Sequence, residues 1–297
     1  MLFRSEAGAL LYTSAPLGLF LATFVNYQVS AVHFKASPEV SWRYVFLFGL
    51  APAVIAFIVR LFVKEPDRWQ RAAAKQPPPR LAELFTPRYR ATTLSGFAMA
   101  LTALIMWWSC NAFIPIVSTG LAQASAKLRG LDLAGTLALS ESWKARATNS
   151  FNLGGLIGTL LTVPAAKLLG RRKMFALYFL CSAAAIMCAF GLRLNPEHRL
   201  YMYFPIGVTV FGVFGSFTYY LPELFPTRLR GTGAGFCYNA GRVIAAAGPF
   251  LVGRIASMGA DSLVSALGAL FWVGLVPLAG LAVIPWVVET RGRVLID

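Results

Sequence analysis

The chain has 297 residues, 57% of them hydrophobic and only 13% charged, with a mean hydropathy of +0.64. That is too apolar for an ordinary soluble domain, so a membrane protein is predicted. The formal net charge of +15 would suit a nucleic-acid partner only if it were gathered into a patch, and it is spread between hydrophobic runs instead.

A bilayer core about 30 Å thick needs roughly 20 apolar residues per helix, because every backbone polar group must be satisfied within the segment. Eight stretches meet that length: 7–32, 44–63, 92–121, 147–169, 174–192, 201–221, 231–253 and 263–288. The first lies behind Arg4 at the N-terminus, but its apolar run is too long for a signal-peptide core, so it reads as a retained helix. An all-α integral membrane protein with about eight transmembrane helices is the predicted fold class.

Between the second and third runs, residues 64–90 (KEPDRWQRAAAKQPPPRLAELFTPRYR) form the longest basic connection, stiffened by PPP at 77–79. The spacing predicts two helices of one bundle over 1–63, a linker over 64–90 and a six-helix bundle over 91–297. The connection 127–146 carries LRGLDLAGTLALSESW, predicted as a short amphipathic helix lying at the outer surface. GGLIG at 154–158 and GTGAG at 231–235 have the spacing of small residues that lets helix backbones approach.

With eight spans the connections fall into two alternating sets. Seventeen basic residues lie in the set that includes both termini and nine in the other, so the positive-inside rule predicts both termini in the cytoplasm of a cell (inner) membrane. Cys110, Cys181, Cys188 and Cys237 fall in spans without CxxC spacing and read as packing residues. His33 and His198 sit at loop edges, and no cluster of histidine, cysteine and carboxylate suggests a catalytic centre, a metal site or a cofactor.

One charge breaks the pattern. In GAGFCYNAGRVIAAAGPF (233–250), Arg242 is twelve residues from both Arg230 and Arg254, near the midplane, where an arginine costs about 2.5 to 3.5 kcal/mol on insertion scales. No Asp or Glu falls within the eight predicted spans, so its partner is backbone and water, a carboxylate elsewhere, or an anionic substrate. Helical spacing puts Tyr238, Asn239 and Arg242 on one face as a candidate binding wall. Trp107, Trp108, Asn111 and Pro115 make a second, with rings to stack a substrate and an amide to orient it. For both walls a purely structural role is the alternative, with arginine pairing across helices and asparagine bonding a neighbour.

Four segments together resemble the major facilitator superfamily, in its sugar-porter and metabolite:proton symporter branches. PELFPTRLRGTGAGFCYNAGR at 222–242 is similar to that family's tenth-to-eleventh helix connection, LGRRK at 169–173 to its eighth-to-ninth loop, EPDRW at 65–69 to the motif after its sixth helix, and VETRG at 288–292 to the one after its twelfth. The resemblance covers the last eight of twelve helices, so the first four would be absent. It implies secondary active transport of a small polar metabolite (an organic acid, acidic sugar or sugar) by alternating access, coupled to protons, and no enzymatic activity. It also implies a cytoplasmic charge cluster of Glu223, Arg228, Arg230, Arg171 and Arg172 that acts as a gate between states. IMWWSCNAFIPIV at 105–117 lacks the paired glutamines of sugar porters, which points away from hexoses. The competing reading is a truncated, transport-inactive fragment or a membrane interaction partner.

Overall fold

The computed structural model describes residues 4–34, 37–63 and 77–292, and among them it is helical throughout, with no strand. Residues 64–76 of the predicted linker, EPDRW among them, lie outside the described residues, as do Lys35 and Arg293.

Among the described residues seven helices are long and apolar enough to cross a membrane: α1 (Ser5–His33), α2 (Glu39–Phe62), α3 (Arg90–Leu128), α4 (Leu133–Leu169), α5 (Arg171–Gly191), α6 (Pro196–Glu223) and, last in order, α9 (Ser262–Trp286). Between α6 and α9 lie α7 (Arg230–Ala245) and α8 (Ala247–Met258). These two occupy the predicted span 231–253. It is helical as expected, but its glycines, Asn239 and Arg242 keep its hydropathy below that of the other seven.

The sequence-based expectation for 127–146 is corrected. No separate surface helix forms there, because Asp132 caps the start of a helix that runs unbroken to Leu169, its carboxylate accepting from the Gly135 amide at 2.8 Å. Residues 133–146 hold no proline, and their one glycine, Gly135, sits in the first turn beside the cap, so the helix propagates from there into the span. On the other side Gly130, at φ +64°, ends α3, and the Leu131 amide closes back on the Ala126 carbonyl at 3.0 Å. At 39 and 37 residues, α3 and α4 are about 58 and 55 Å long. Both project well beyond a hydrocarbon core of about 30 Å.

Close helix crossing is real at GGLIG. A Cβ at Gly154 would lie 2.1 Å from the Phe204 carbonyl oxygen, and one at Gly158 would lie 2.0 Å from that of Val208, so α4 and α6 touch backbone to backbone. GTGAG does not repeat this, since Gly231 and Gly235 have open space where a Cβ would be.

The core runs along α3, α4, α5 and α6, with Phe151, Phe175, Phe179, Tyr203, Phe211, Tyr219 and Tyr220 almost fully buried. The two N-terminal helices differ sharply in how they join it. α1 packs on α4 and α6, with Gly8 against the Thr218 side chain. In α2 no residue from Leu50 to Phe62 is buried.

Candidate functional site

The face of α7 that packs on α3 is made of small residues one turn apart: Gly233, Cys237, Gly241 and Ala245 are all buried. That leaves Tyr238 and Arg242 at the rim of the contact. The Arg242 guanidinium carbon lies 5.6 Å from the centre of the Tyr238 ring, a favourable placement of a cation over an aromatic face. Among the described residues no carboxylate pairs with Arg242. Asn239, the third member of the predicted wall, is exposed and donates its side-chain amide to the Gly235 carbonyl of its own helix at 3.0 Å.

Tyr238 meets Phe214 edge-on at 6.3 Å and Phe217 at 6.3 Å. Phe214 is shared with the second predicted wall, because Trp107 lies 6.1 Å from its centroid and 5.8 Å from that of Phe211. Trp107 also contacts Phe151 and Trp108, so its ring is wedged into the core, and its buried Nε1–H has no acceptor among the described residues. Asn111, one turn further along, is half-buried and makes no hydrogen bond among the described residues. The structure thus brings Trp107 and Tyr238 against one shared ring, Phe214. Pro115 faces elsewhere, into a cleft of about 730 Å³ that Lys127, Lys144 and Asp261 also line.

Sequence reasoning missed Tyr12. From α1 its ring stacks on Phe214 at 6.3 Å and meets Phe211 edge-on at 6.4 Å. Its hydroxyl interacts with that of Tyr238, within the field of Arg242. A single tyrosine in a hydrophobic run carries no local signal, so only the packing of α1 on α6 exposes its role.

At the other end of these helices the predicted charge cluster divides in two. Arg171 grips both oxygens of Glu223, Nη2 to Oε1 at 2.9 Å and Nε to Oε2 at 3.2 Å, and lies over the Tyr219 ring. Thr290 donates to the same carboxylate at 2.6 Å. Arg228 instead forms a bidentate pair with Glu83, while Arg230 donates to the Pro222 carbonyl at 3.1 Å. Arg172 donates through its backbone to Glu289 and through its side chain to the Val287 carbonyl.

Glu289 was legible in VETRG as a motif but not as a partner. Its carboxylate accepts from the backbone amides of Arg171 at 3.0 Å, Arg172 at 3.1 Å and Arg291 at 2.8 Å, which makes it the anion at the start of α5. Gly170, at φ +83°, brings the chain round to it. Burial alone would raise the Glu289 pKa, but the amides of Arg171, Arg291 and Arg172 outweigh it and hold the group below its ordinary range. Glu83 is also lowered, chiefly by its hydrogen bonds from Arg228.

The helices run past the predicted spans. Glu6 lies in the first turn of α1 and pairs with Lys167 of α4. Arg171, Glu223, Glu289 and Thr290 all come from α5 onwards. The Glu6–Lys167 pair joins the N-terminal helix to the rest of the bundle.

The family described as Major Facilitator Superfamily matches residues 3–249. The chain is 28% identical over 262 residues to a probable 4-methylmuconolactone transporter of Cupriavidus pinatubonensis, an alignment covering 86% of this chain and 55% of that protein. It is 27% identical to the cis,cis-muconate transport protein of Acinetobacter baylyi, covering 81% and 57%. With the inner membrane metabolite transport protein YhjE of Escherichia coli it shares 28% identity, covering 82% and 54%. The chain spans about half the length of these curated relatives.

Proposed function

The chain belongs to the Major Facilitator Superfamily, a family of transporters rather than enzymes, and on that premise we propose that it serves the transport of a small organic acid by alternating access. The observation that carries the anionic preference is Arg242, which has no carboxylate partner among the described residues and sits over Tyr238 beside an aromatic seam. A guanidinium next to aromatic rings suits a planar unsaturated carboxylate, with the charge on Arg242 and the conjugated body against Tyr238, Tyr12 and Phe214. Two of the relatives are described as transporters of muconate or of a methylated muconolactone, which supports that substrate class over sugars. Asn111 and the unsatisfied Trp107 Nε1–H offer further polar contacts along the same seam.

The reading places the chain in the inner membrane with both termini cytoplasmic, supported by the distribution of basic residues and by a relative described as an inner membrane protein. The gate is then the Arg171–Glu223 and Arg228–Glu83 pairs on the cytoplasmic side, with Glu6–Lys167 bridging from α1. Coupling to protons is part of the proposal, with Glu6 and Glu223 as the carboxylates at that side.

The test is binding and uptake of labelled cis,cis-muconate in proteoliposomes, with Arg242→Gln and Arg242→Lys beside the wild type and a neutral hexose as control. Muconate binding and uptake that Gln abolishes and Lys partly retains, with no hexose uptake, supports the reading. Equal behaviour of all three proteins makes the arginine structural. A second reading, a membrane interaction partner that carries no substrate, is favoured by the fully exposed stretch from Leu50 to Phe62 and predicts no uptake by any variant.

A further inference from the structure

Away from the Arg242 seam, a groove of about 410 Å³ opens between α4, α5 and α6, lined by Leu161, Pro164, Leu168, Leu177, Cys181 and Val208 among others. It offers almost nothing polar. Tyr178, at its border, turns its hydroxyl to the Gly158 carbonyl at 2.6 Å, and Thr209 turns its own to the Pro205 carbonyl at 3.0 Å. Leu161 and Leu177 remain 47% and 44% exposed and Leu168 74%. On three helices long and apolar enough to cross a membrane, such a groove faces hydrocarbon.

Its basic end is marked by a cation, Lys173, that is uncommitted among the described residues. Lys173, Leu177 and Cys181 follow one another at intervals of four residues on one face of α5, so Lys173 stands one turn beyond the groove. Among the described residues the neighbouring cations are engaged: Lys167 with Glu6, Arg171 with Glu223, Arg172 with the Val287 carbonyl, and Arg291 with the Leu168 carbonyl at 3.0 Å. Lys173 is exposed and makes no ion pair or hydrogen bond among the described residues.

We propose that this groove holds one anionic phospholipid, an acyl chain lying along Leu161, Leu168 and Leu177 and the phosphate on the Lys173 ammonium. The charge decides the occupant. A zwitterionic lipid would fill the groove equally well but gain less from an unpaired lysine at the headgroup level, where each such cation attracts anionic lipid by an amount that corresponds to roughly fivefold in affinity. The long lysine stem can follow the apolar wall while its head stays in the polar layer. Because Leu168 lies in the last turn of α4 and Leu177 in the second turn of α5, the lipid would brace the turn that presents Arg171 to Glu223. No lining residue belongs to the Tyr238–Arg242 wall, so the proposal stands apart from the transported substrate.

The experiment compares thermal unfolding of the purified chain in detergent with added phosphatidylglycerol and with phosphatidylcholine of the same acyl chains. The wild type, Lys173→Gln, Lys173→Arg and, at the far end, Lys127→Gln are measured together. The expected result is that phosphatidylglycerol half-saturates at roughly fivefold lower concentration than phosphatidylcholine in wild type, Lys173→Arg and Lys127→Gln, and that the two lipids converge in Lys173→Gln. A phosphatidylglycerol with a photoactivatable acyl chain should label residues 161–181 in the wild type, a readout independent of any variant. Equal effects of the two lipids in the wild type, a preference that survives Lys173→Gln, or labelling confined to other helices would overturn the proposal.

Discussion

Both carboxylate oxygens of Glu223 are held by the fork of Arg171, at 2.9 and 3.2 Å, across the space between the end of α6 and the start of α5. The two side chains are only 11% and 12% exposed, so each is the other's main compensation for lost water. Breaking the pair strands a charge. Glu223→Gln is expected to lower unfolding free energy by about 3 kcal/mol, measured by denaturant titration in detergent. The same change at Glu141, in a more exposed pair with Lys144 on one helix, is expected to cost less than about 0.5 kcal/mol. Similar losses at both sites would show that the Arg171–Glu223 fork adds little.

The crossing of α4 and α6 is the tightest contact that GGLIG creates. Gly158→Ala must push a methyl into the Val208 carbonyl, so the helices separate and stability falls by about 1 to 3 kcal/mol. Gly235→Ala meets open space in a helix interior and is expected to raise stability by up to about 1 kcal/mol. Thermal unfolding of the two single variants beside the wild type measures the contrast, and a neutral Gly158→Ala would refute the backbone contact.

Glu289 makes the start of α5 sensitive to acid. Its folded pKa lies below the ordinary value of 4.5 because three backbone amides favour the carboxylate. The stabilisation is therefore complete above that value and is lost as pH falls through the lower folded one. Glu289→Gln is expected to lower stability near neutrality by about 1 kcal/mol, solvent screening keeping this half-exposed group at the low end for charged hydrogen bonds. It should also flatten the fall below pH 4.5, and melting temperature against pH for the two proteins gives the answer.

Arg242 separates binding from folding. With no carboxylate partner among the described residues, Arg242→Gln strands no buried charge and should leave the melting temperature within a degree or two, at about 0.5 kcal/mol or less. Under the proposed function the same variant loses the thermal shift produced by muconate. A large drop in intrinsic stability would instead identify a structural arginine.

Tyr12 offers a matched test of the seam. Tyr12→Phe keeps the ring on Phe211 and Phe214 but removes the hydroxyl that faces Tyr238, so little stability is lost, about 1 kcal/mol. Tyr12→Ala removes the ring as well and should cost about 3 kcal/mol or more. Equal losses would mean the hydroxyl carries the contact.

What the sequence alone determined was what short-range physics encodes. Hydrocarbon length placed the spans, loop charge divided their ends into two sets, and the small residues of GGLIG marked a crossing, because each depends on neighbours within a turn or two of one helix. Residues 131–143 show that limit from the other side: LDLAGTLALSESW has the same pattern whether it lies on a surface or extends a span, and only the structure, with Asp132 capping the continuous helix, decides between them. Only tertiary structure decided the partners. Glu223 had Arg171, Arg172, Arg228 and Arg230 to choose among, and helix-end geometry gave it Arg171, sent Arg228 to Glu83 and delivered Glu289 to the amides of α5. Tyr12 reached Tyr238 across more than 200 residues because α1 packs on α6. Like charges and like rings are interchangeable along a chain, and they become specific only when packing fixes which of them can touch.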